Sequence, residues 1–200
     1  MACSPEVIKS STCFSLCARP GDTTALTKNL TRDEFQCKSK KCEAQMIDTE
    51  LVEKLQRIRD VLGVPLKITS GYRCIVHNAS KTVGGSRTSK HLYGFAADWR
   101  TMNRTVNPVA LGIIAQAVRF GGIGIYWHPK AAMCHADTRA GKATWLCTSP
   151  GVYPSTTYNA FILPTIRQGS TGAANRSAII MLQKLLKIKE DGTFGPATTQ

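Results

Sequence analysis

The sequence predicts an α+β domain: a small, mainly antiparallel sheet with flanking helices. Three observations carry this expectation. Two stretches show the three- and four-residue apolar spacing of helices. Several shorter runs have the composition and length of strands. Glycine, proline and serine clusters punctuate the boundaries between them.

The elements follow in order. Residues 1–28 are polar and turn-rich, with Pro20-Gly21-Asp22 as a breaker, and read as a weakly structured extension. "NLTRDEFQCKSKKC" reads as an irregular approach to the domain. In "DTELVEKLQRIRDVLG", Leu51, Leu55, Ile58 and Leu62 make one apolar face, Asp48 suits the N-cap and Gly63 the stop. "VPLKITSGYR" predicts a strand from Val64 to Thr69, turned by Ser70-Gly71. "SKTVGGSRTSK" is a loop. "NPVALGIIAQAVRFGG" predicts a second helix, capped by Asn107, with Pro108 at its first position and Gly121-Gly122 as its end. "IGIYW" and "AAMCHADTR" predict short strands around a loop at His128-Pro129, and "KATWLC" a last strand.

Composition shifts after residue 148. "SPGVYPSTTYNAFILP" has three prolines and no charge, which is linker chemistry over 149–164. Beyond it, residues 165–200 predict a helix from about Ala173 to Lys187, a "DGTFGP" turn and a new helix start at Pro196. So short a tail reads as a partial helical module. The expected division is therefore 1–28, 29–148, 149–164 and 165–200.

The 200 residues carry 26 Lys+Arg against 13 Asp+Glu, a formal charge of +13. That balance favours polyanions without choosing among nucleic acid, an anionic membrane surface and an anionic cell wall. The basic residues are dispersed, and no nucleic-acid-binding motif is present. No apolar run approaches the ~20 residues of a membrane span, and the first twenty residues lack signal-peptide chemistry. Action outside the producing cell would then need another route of release. The eight cysteines include two close pairs, Cys13/Cys17 and Cys37/Cys42. Their gaps are loose for a structural zinc, so thiols or one or two disulfides are expected.

"SKHLYGFAADWR" raises the functional question. His91 and Asp98 lie seven residues apart, about 10.5 Å along a straight helix, too far to share one ion. A fold-back at Gly94 would bring a loop-borne histidine against an aspartate on the next strand, kept slim by Ala96 and Ala97. A catalytic zinc needs a third protein ligand and an open position. In "MCHADTR", His135 and Asp137 would face one side of a strand, one binding metal, the other accepting a proton or orienting water. Taken singly, each of these residues has an ordinary structural reading: a hydrogen-bonded histidine, a strand-end cap, a loop residue at His77 or His128.

"SKHLYGFAAD" matches the pattern Ser-x-His-x-x-Gly-x-Ala-x-Asp, and "ITSGYRCIVHN" and "VGG" before it and "GGIGIY" and "HADTRAGKATW" after it occur in the order that one known family uses. Over roughly 29–147 the chain resembles the M15 zinc peptidases, the D-alanyl-D-alanine carboxypeptidase and phage endolysin group. The tail resembles the N-terminal part of a peptidoglycan-binding module. The resemblance implies a hedgehog/D,D-peptidase-like fold and Zn²⁺ held by His91, Asp98 and His135. It implies that Arg73 grips a substrate carboxylate and that Ser89 hydrogen-bonds near the substrate. Relatives often carry a carboxylate shortly before the last histidine as general base. Here Ala131, Ala132, Met133 and Cys134 stand there, which leaves Asp137 as the candidate and His128 as the second. Cys134 would face away, into packing.

The implied activity is zinc-dependent cleavage of peptidoglycan stem peptides, as a carboxypeptidase or an endolysin-type endopeptidase. The partners are then stem peptides and the anionic wall, with no specific nucleic acid, and a monomer is expected. The expected location is the cytoplasm for synthesis and the wall or periplasm for action, after phage-type release. The alternatives are a non-catalytic wall-binding protein with a residual zinc site and a basic nucleic-acid-binding protein.

Overall fold

The computed structural model describes residues 21–39, 45–129 and 131–153, and in the tail positions 179, 183, 189 and 191–193. Among the described residues the α-helices and strands are α1 (Thr49–Leu62), β1 (Leu66–Ser70), α2 (Ile75–Asn78), β2 (Ala96–Thr101), α3 (Pro108–Ala117), β3 (Gly122–His128), β4 (Ala131–Asp137) and β5 (Ala143–Cys147). The strands form one sheet in the order β1-β2-β4-β3-β5. Three of its pairings are antiparallel, and β3 with β5 is parallel. The architecture is thus α+β with a mixed sheet.

Helix α1 begins where the Asp48 side chain accepts from the Glu50 N–H at 3.2 Å, and ends at Gly63 with φ 63°. Asp48 also accepts from the Thr138 hydroxyl at 2.5 Å, and its backbone N–H donates to the Gly94 carbonyl at 3.0 Å. One buried cap therefore ties α1 to the segments on either side of β2 and β4.

Leu51, Val52, Leu55 and Ile58 of α1 join Leu111, Ile114 and Ala115 of α3 in a core. The sheet contributes Leu66, Ile68, Ala97, Trp99, Ile123, Cys134 and Ala136 to the same core. These strand residues share one face by alternation. The helices cover that face and leave the other for the site. Leu30, Phe35 and Ile47 are also fully buried there, so the irregular approach segment supplies core side chains as well as leading into the domain.

Three expected boundaries move. Strand β1 runs from Leu66 to Ser70 instead of from Val64 to Thr69, so Ser70 belongs to the strand and not to the turn. Helix α3 ends at Ala117, with Val118 as C-cap and Arg119 at φ 62°, ahead of Gly121-Gly122. Gly122 instead opens β3, because a Cβ there would strike the Asp137 carboxylate. His128 lies at the end of β3, in the strand instead of a loop. The short α2 was not anticipated.

Among the described residues Cys37, Cys134 and Cys147 are free thiols, and Cys74 Sγ accepts from the His77 N–H at 3.4 Å; Cys3, Cys13, Cys17 and Cys42 fall outside them, as do residues 1–20. Of the expected tail helix, only positions 179 and 183 are described, both helical. Gln183 is buried and donates to Asp191 Oδ1 and to the Thr193 carbonyl at 2.8 and 2.9 Å. No helix among the described residues is long and apolar enough to cross a membrane.

Candidate metal centre

One transverse row crosses all five strands. Ser70 pairs with Asp98, Asp98 with His135, His135 with Gly124, and Gly124 with Trp145. Directly paired residues point to the same face, so the row places its side chains together on the face without helices. An irregularity between Ile68 and Ser70 brings Ser70 into this row, after Leu66 and Ile68 have turned to the core.

His91 reaches the row from outside the sheet. It sits in a 3₁₀ turn, Lys90–Tyr93, closed by Gly94 at φ 72°. A side chain at Gly94 would collide with the Met46 carbonyl, so position and conformation both demand glycine. The chain reverses there and enters β2, where Ala96 and Ala97 are fully buried.

Three donor atoms converge. His91 Nε2 lies 3.1 Å from His135 Nδ1 and 3.3 Å from Asp98 Oδ1, and His135 Nδ1 is 2.9 Å from that oxygen. The remaining ring nitrogens are committed elsewhere. His91 Nδ1 donates to the Gly71 carbonyl at 2.6 Å, and His135 Nε2 donates to Asp137 Oδ2 at 3.1 Å. In neutral rings those bonds leave the converging nitrogens as lone pairs. Two lone pairs and a carboxylate oxygen then face one another in a buried place. This group could hold a metal ion. Ligands at ~2.0–2.1 Å from a tetrahedral ion are separated by roughly 3.3 Å, so the observed spacings fit such a centre.

Electrostatics match the geometry at Asp98 and His91, while the carboxylates around His135 favour its protonated form. For Asp98 burial opposes ionisation, but His91, His135 and Arg73 together hold its carboxyl well below the usual range. Burial pushes His91 down, more than Asp98 can raise it. His135 is also penalised by burial, yet two carboxylates, Asp137 and Asp98, leave it raised.

The other expected residues take distinct places. Asp137 is fully buried behind His135. Its Oδ1 accepts from Arg139 N and Nε at 3.1 and 2.7 Å, and its Oδ2 from Arg139 Nη2 at 2.5 Å as well as from His135. Both oxygens are therefore occupied on the side of the imidazole remote from the three donors. Burial raises the carboxyl, but His135 and Arg139 outweigh it and hold it low. Arg73 lines the cleft over the centre, with Nε donating to Ser70 Oγ at 2.8 Å and Nη2 paired to Asp98 Oδ2. Ser89 stands at the N-terminal boundary of the 3₁₀ turn, its side chain making no capping bond, and lines the same cleft. His128 does not line it. His128 pairs with Ala131, four strand positions from Gly124, roughly 13 Å along β3.

The cleft has a volume of about 550 Å³. Residues Val83 to Ser86 and Thr88 to Lys90 contribute one part of its lining; Tyr126, Arg139, Trp145 and Tyr153 contribute another. Asp98 is the one carboxylate among the described lining residues. Trp145 lies over Gly124, where a Cβ would meet its ring, and its ring centre is 4.8 Å from that of His135. Sequence reasoning gave Trp145, Tyr126, Lys90 and Arg139 no role. The alternation Gly122-x-Gly124 was the available signal: one glycine makes room for Asp137, the other for Trp145.

A family model described as Peptidase M15 matches residues 28–137, more than half of the chain. No curated protein matches it.

Proposed function

The chain belongs to the peptidase M15 family, and from that premise we propose a zinc-dependent peptidase that cleaves the peptide stems of bacterial peptidoglycan. The observation that carries the reading is the meeting of His91 Nε2, Asp98 Oδ1 and His135 Nδ1 within 3.3 Å of one another at a cleft. Three nitrogen and oxygen ligands suit Zn²⁺ and leave one position for solvent or substrate.

Zinc bound there supplies Lewis acidity, activating water and polarising the scissile carbonyl. The chain's own residues do the remaining work. The Gly71 carbonyl and Asp137 orient the two imidazoles from behind, each fixing one tautomer. In this reading Asp137 is a positioning residue, since both its oxygens are engaged. Arg73 presents its guanidinium to a substrate carboxylate while its Nε and Nη2 are held by Ser70 and Asp98. Ser89 and Lys90 offer further donors to an extended peptide. Stem peptides carry free carboxylates, which suits a cleft whose lining has three cations, Arg73, Lys90 and Arg139, against one carboxylate.

The charge of +13 would hold the protein to an anionic wall, more weakly as salt rises. Residues 165–200 would add wall affinity as part of a binding module. Action at the wall after phage-type release completes the reading.

A second reading has an observation behind it: the described cleft offers no free carboxylate as general base. A wall-binding protein with a residual metal site would look like this. One experiment separates the two. Purified peptidoglycan is treated with the protein, with zinc, with chelator, and with zinc restored. Mass spectrometry of the released fragments identifies the bond. New amino groups that vanish with chelator and return with zinc support the peptidase. Wall binding without new amino groups in any sample sinks it.

A further inference from the structure

Tyr126 lies two positions beyond Gly124 on β3, on the sheet face that carries His135 and Asp98. It lines the same cleft as the three metal-ligating residues. Its phenol oxygen is 3.3 Å from Trp145 Nε1. An indole nitrogen only donates, so the phenol accepts in this bond. The single phenolic proton is therefore directed elsewhere. Burial raises the pKa of Tyr126 above the ordinary phenol value, and the Asp98 carboxylate raises it further. The group stays protonated, and it is near enough to the ligand row to sense Asp98.

The arrangement has two parts. Gly124 gives Trp145 its place over the sheet, and Trp145 then fixes the phenol by its Nε1 donor. No carboxylate with a free oxygen competes for the phenolic proton among the described lining residues, because Asp98 is taken up by His91, His135 and Arg73; the neighbouring neutral hydroxyl of Tyr153 is the partner that a substrate oxygen would displace. Peptide hydrolysis needs a donor aimed at the carbonyl oxygen as it gains negative charge. Arg73 and Lys90 are charged donors suited to carboxylates. Tyr126 is a neutral donor, held on a strand and not on a loop.

We propose that Tyr126 is a catalytic residue whose hydroxyl donates a hydrogen bond to the scissile carbonyl oxygen in the tetrahedral transition state, with Trp145 as the residue that positions it. The inference rests on the peptidase reading above. No proton leaves the phenol: the bond strengthens as charge develops on the oxygen and relaxes when the products separate.

The test compares wild type, Tyr126→Phe and Trp145→Phe, all loaded with zinc. The substrate is a synthetic stem peptide, and the second probe is a phosphinate that replaces its scissile amide. Tyr126→Phe removes one oxygen and should lower kcat about 100- to 1000-fold, with KM within about threefold. Phosphinate affinity should fall by a comparable factor, while affinity for the product peptide and zinc stoichiometry stay unchanged. Trp145→Phe keeps the phenol but removes its orienting donor, and should lower kcat about tenfold with KM unchanged. In metal-free protein the Trp145 indole N–H resonance should move in Tyr126→Phe, which reads the bond independently of turnover. A Tyr126→Phe protein with kcat within about threefold of wild type overturns the inference, as does equal weakening of phosphinate and product. Wild-type protein that binds the phosphinate but cleaves no stem defeats the peptidase reading; phosphinate affinity in Tyr126→Phe then decides the role of the phenol. Wild type that does neither overturns both.

Discussion

Trp145 occupies the space that Gly124 leaves by having no side chain, and in doing so it rests against the ring of His135 in the candidate metal centre. Glycine is needed here for close approach and not for an unusual backbone angle. Gly124→Ala should force the indole away and cost about 1–3 kcal/mol, the range for overpacking a filled site. In a Trp145→Ala background the same change should cost under about 1 kcal/mol, because the colliding ring is gone. Urea unfolding of the four proteins gives the coupling. Additive losses would mean that the two residues do not share this space.

Asp137 faces the imidazole nitrogen of His135 that is turned away from the three converging donors. A residue that orients a ligand and one that accepts the proton of attacking water differ in how they fail. Asp137→Asn should weaken zinc binding about 10- to 100-fold. Saturating zinc should then recover most of the turnover. Zinc affinity is read by competition with a chromophoric chelator, and kcat is followed as zinc is raised. If affinity is normal and kcat stays low at saturation, Asp137 is the base after all.

How much of this was legible in the sequence depends on the distance over which each relationship acts. The His91–Asp98 pair is local, and Gly94 between them announces the reversal; the structure gives it φ 72° and a crowded approach to Met46. The shared face of His135 and Asp137 follows from strand alternation. The caps of α1, Asp48 and Gly63, are likewise written beside the helix they bound. The transverse row was not legible, because it needs the parallel pairing of β5 with β3, and nothing near "KATWLC" specifies that partner. For the same reason Trp145 and Tyr126 read as ordinary strand aromatics. Gly122 misled in the opposite sense. It looked like a helix stop, whereas its lack of a side chain serves the Asp137 carboxylate across the sheet.

Arg73 is fixed at two points before any substrate arrives: Nε on Ser70 Oγ and Nη2 on Asp98 Oδ2. A lysine has the charge but not the planar fork, so it cannot hold both partners and a carboxylate together. Arg73→Lys should raise KM for stem peptides with a free carboxylate by about tenfold or more, a loss typical of one charge-assisted contact. Amidation of that carboxylate should remove most of the difference between variant and wild type. Steady-state kinetics on the matched peptide pair checks this. An equal penalty on both peptides would place the effect of Arg73 on Asp98 and the metal centre instead of the substrate.

His77 lies on the short α2, close to this arginine. Burial lowers its pKa from the ordinary 6.5, and the Arg73 charge lowers it further. Protonation is thus disfavoured in the folded state relative to the unfolded chain. Just below pH 6.5 the unfolded chain binds more protons than the native one, so stability rises with pH across that window. The contribution is fully present above the unfolded pKa and is lost as pH falls through the depressed native value. Ring-proton NMR should give a His77 midpoint below 6.5. Arg73→Gln should raise that midpoint only part of the way, because burial is the larger cause. His77→Gln should flatten the stability curve over the same window. A midpoint at or above 6.5 would place the imidazole in solvent and away from the guanidinium.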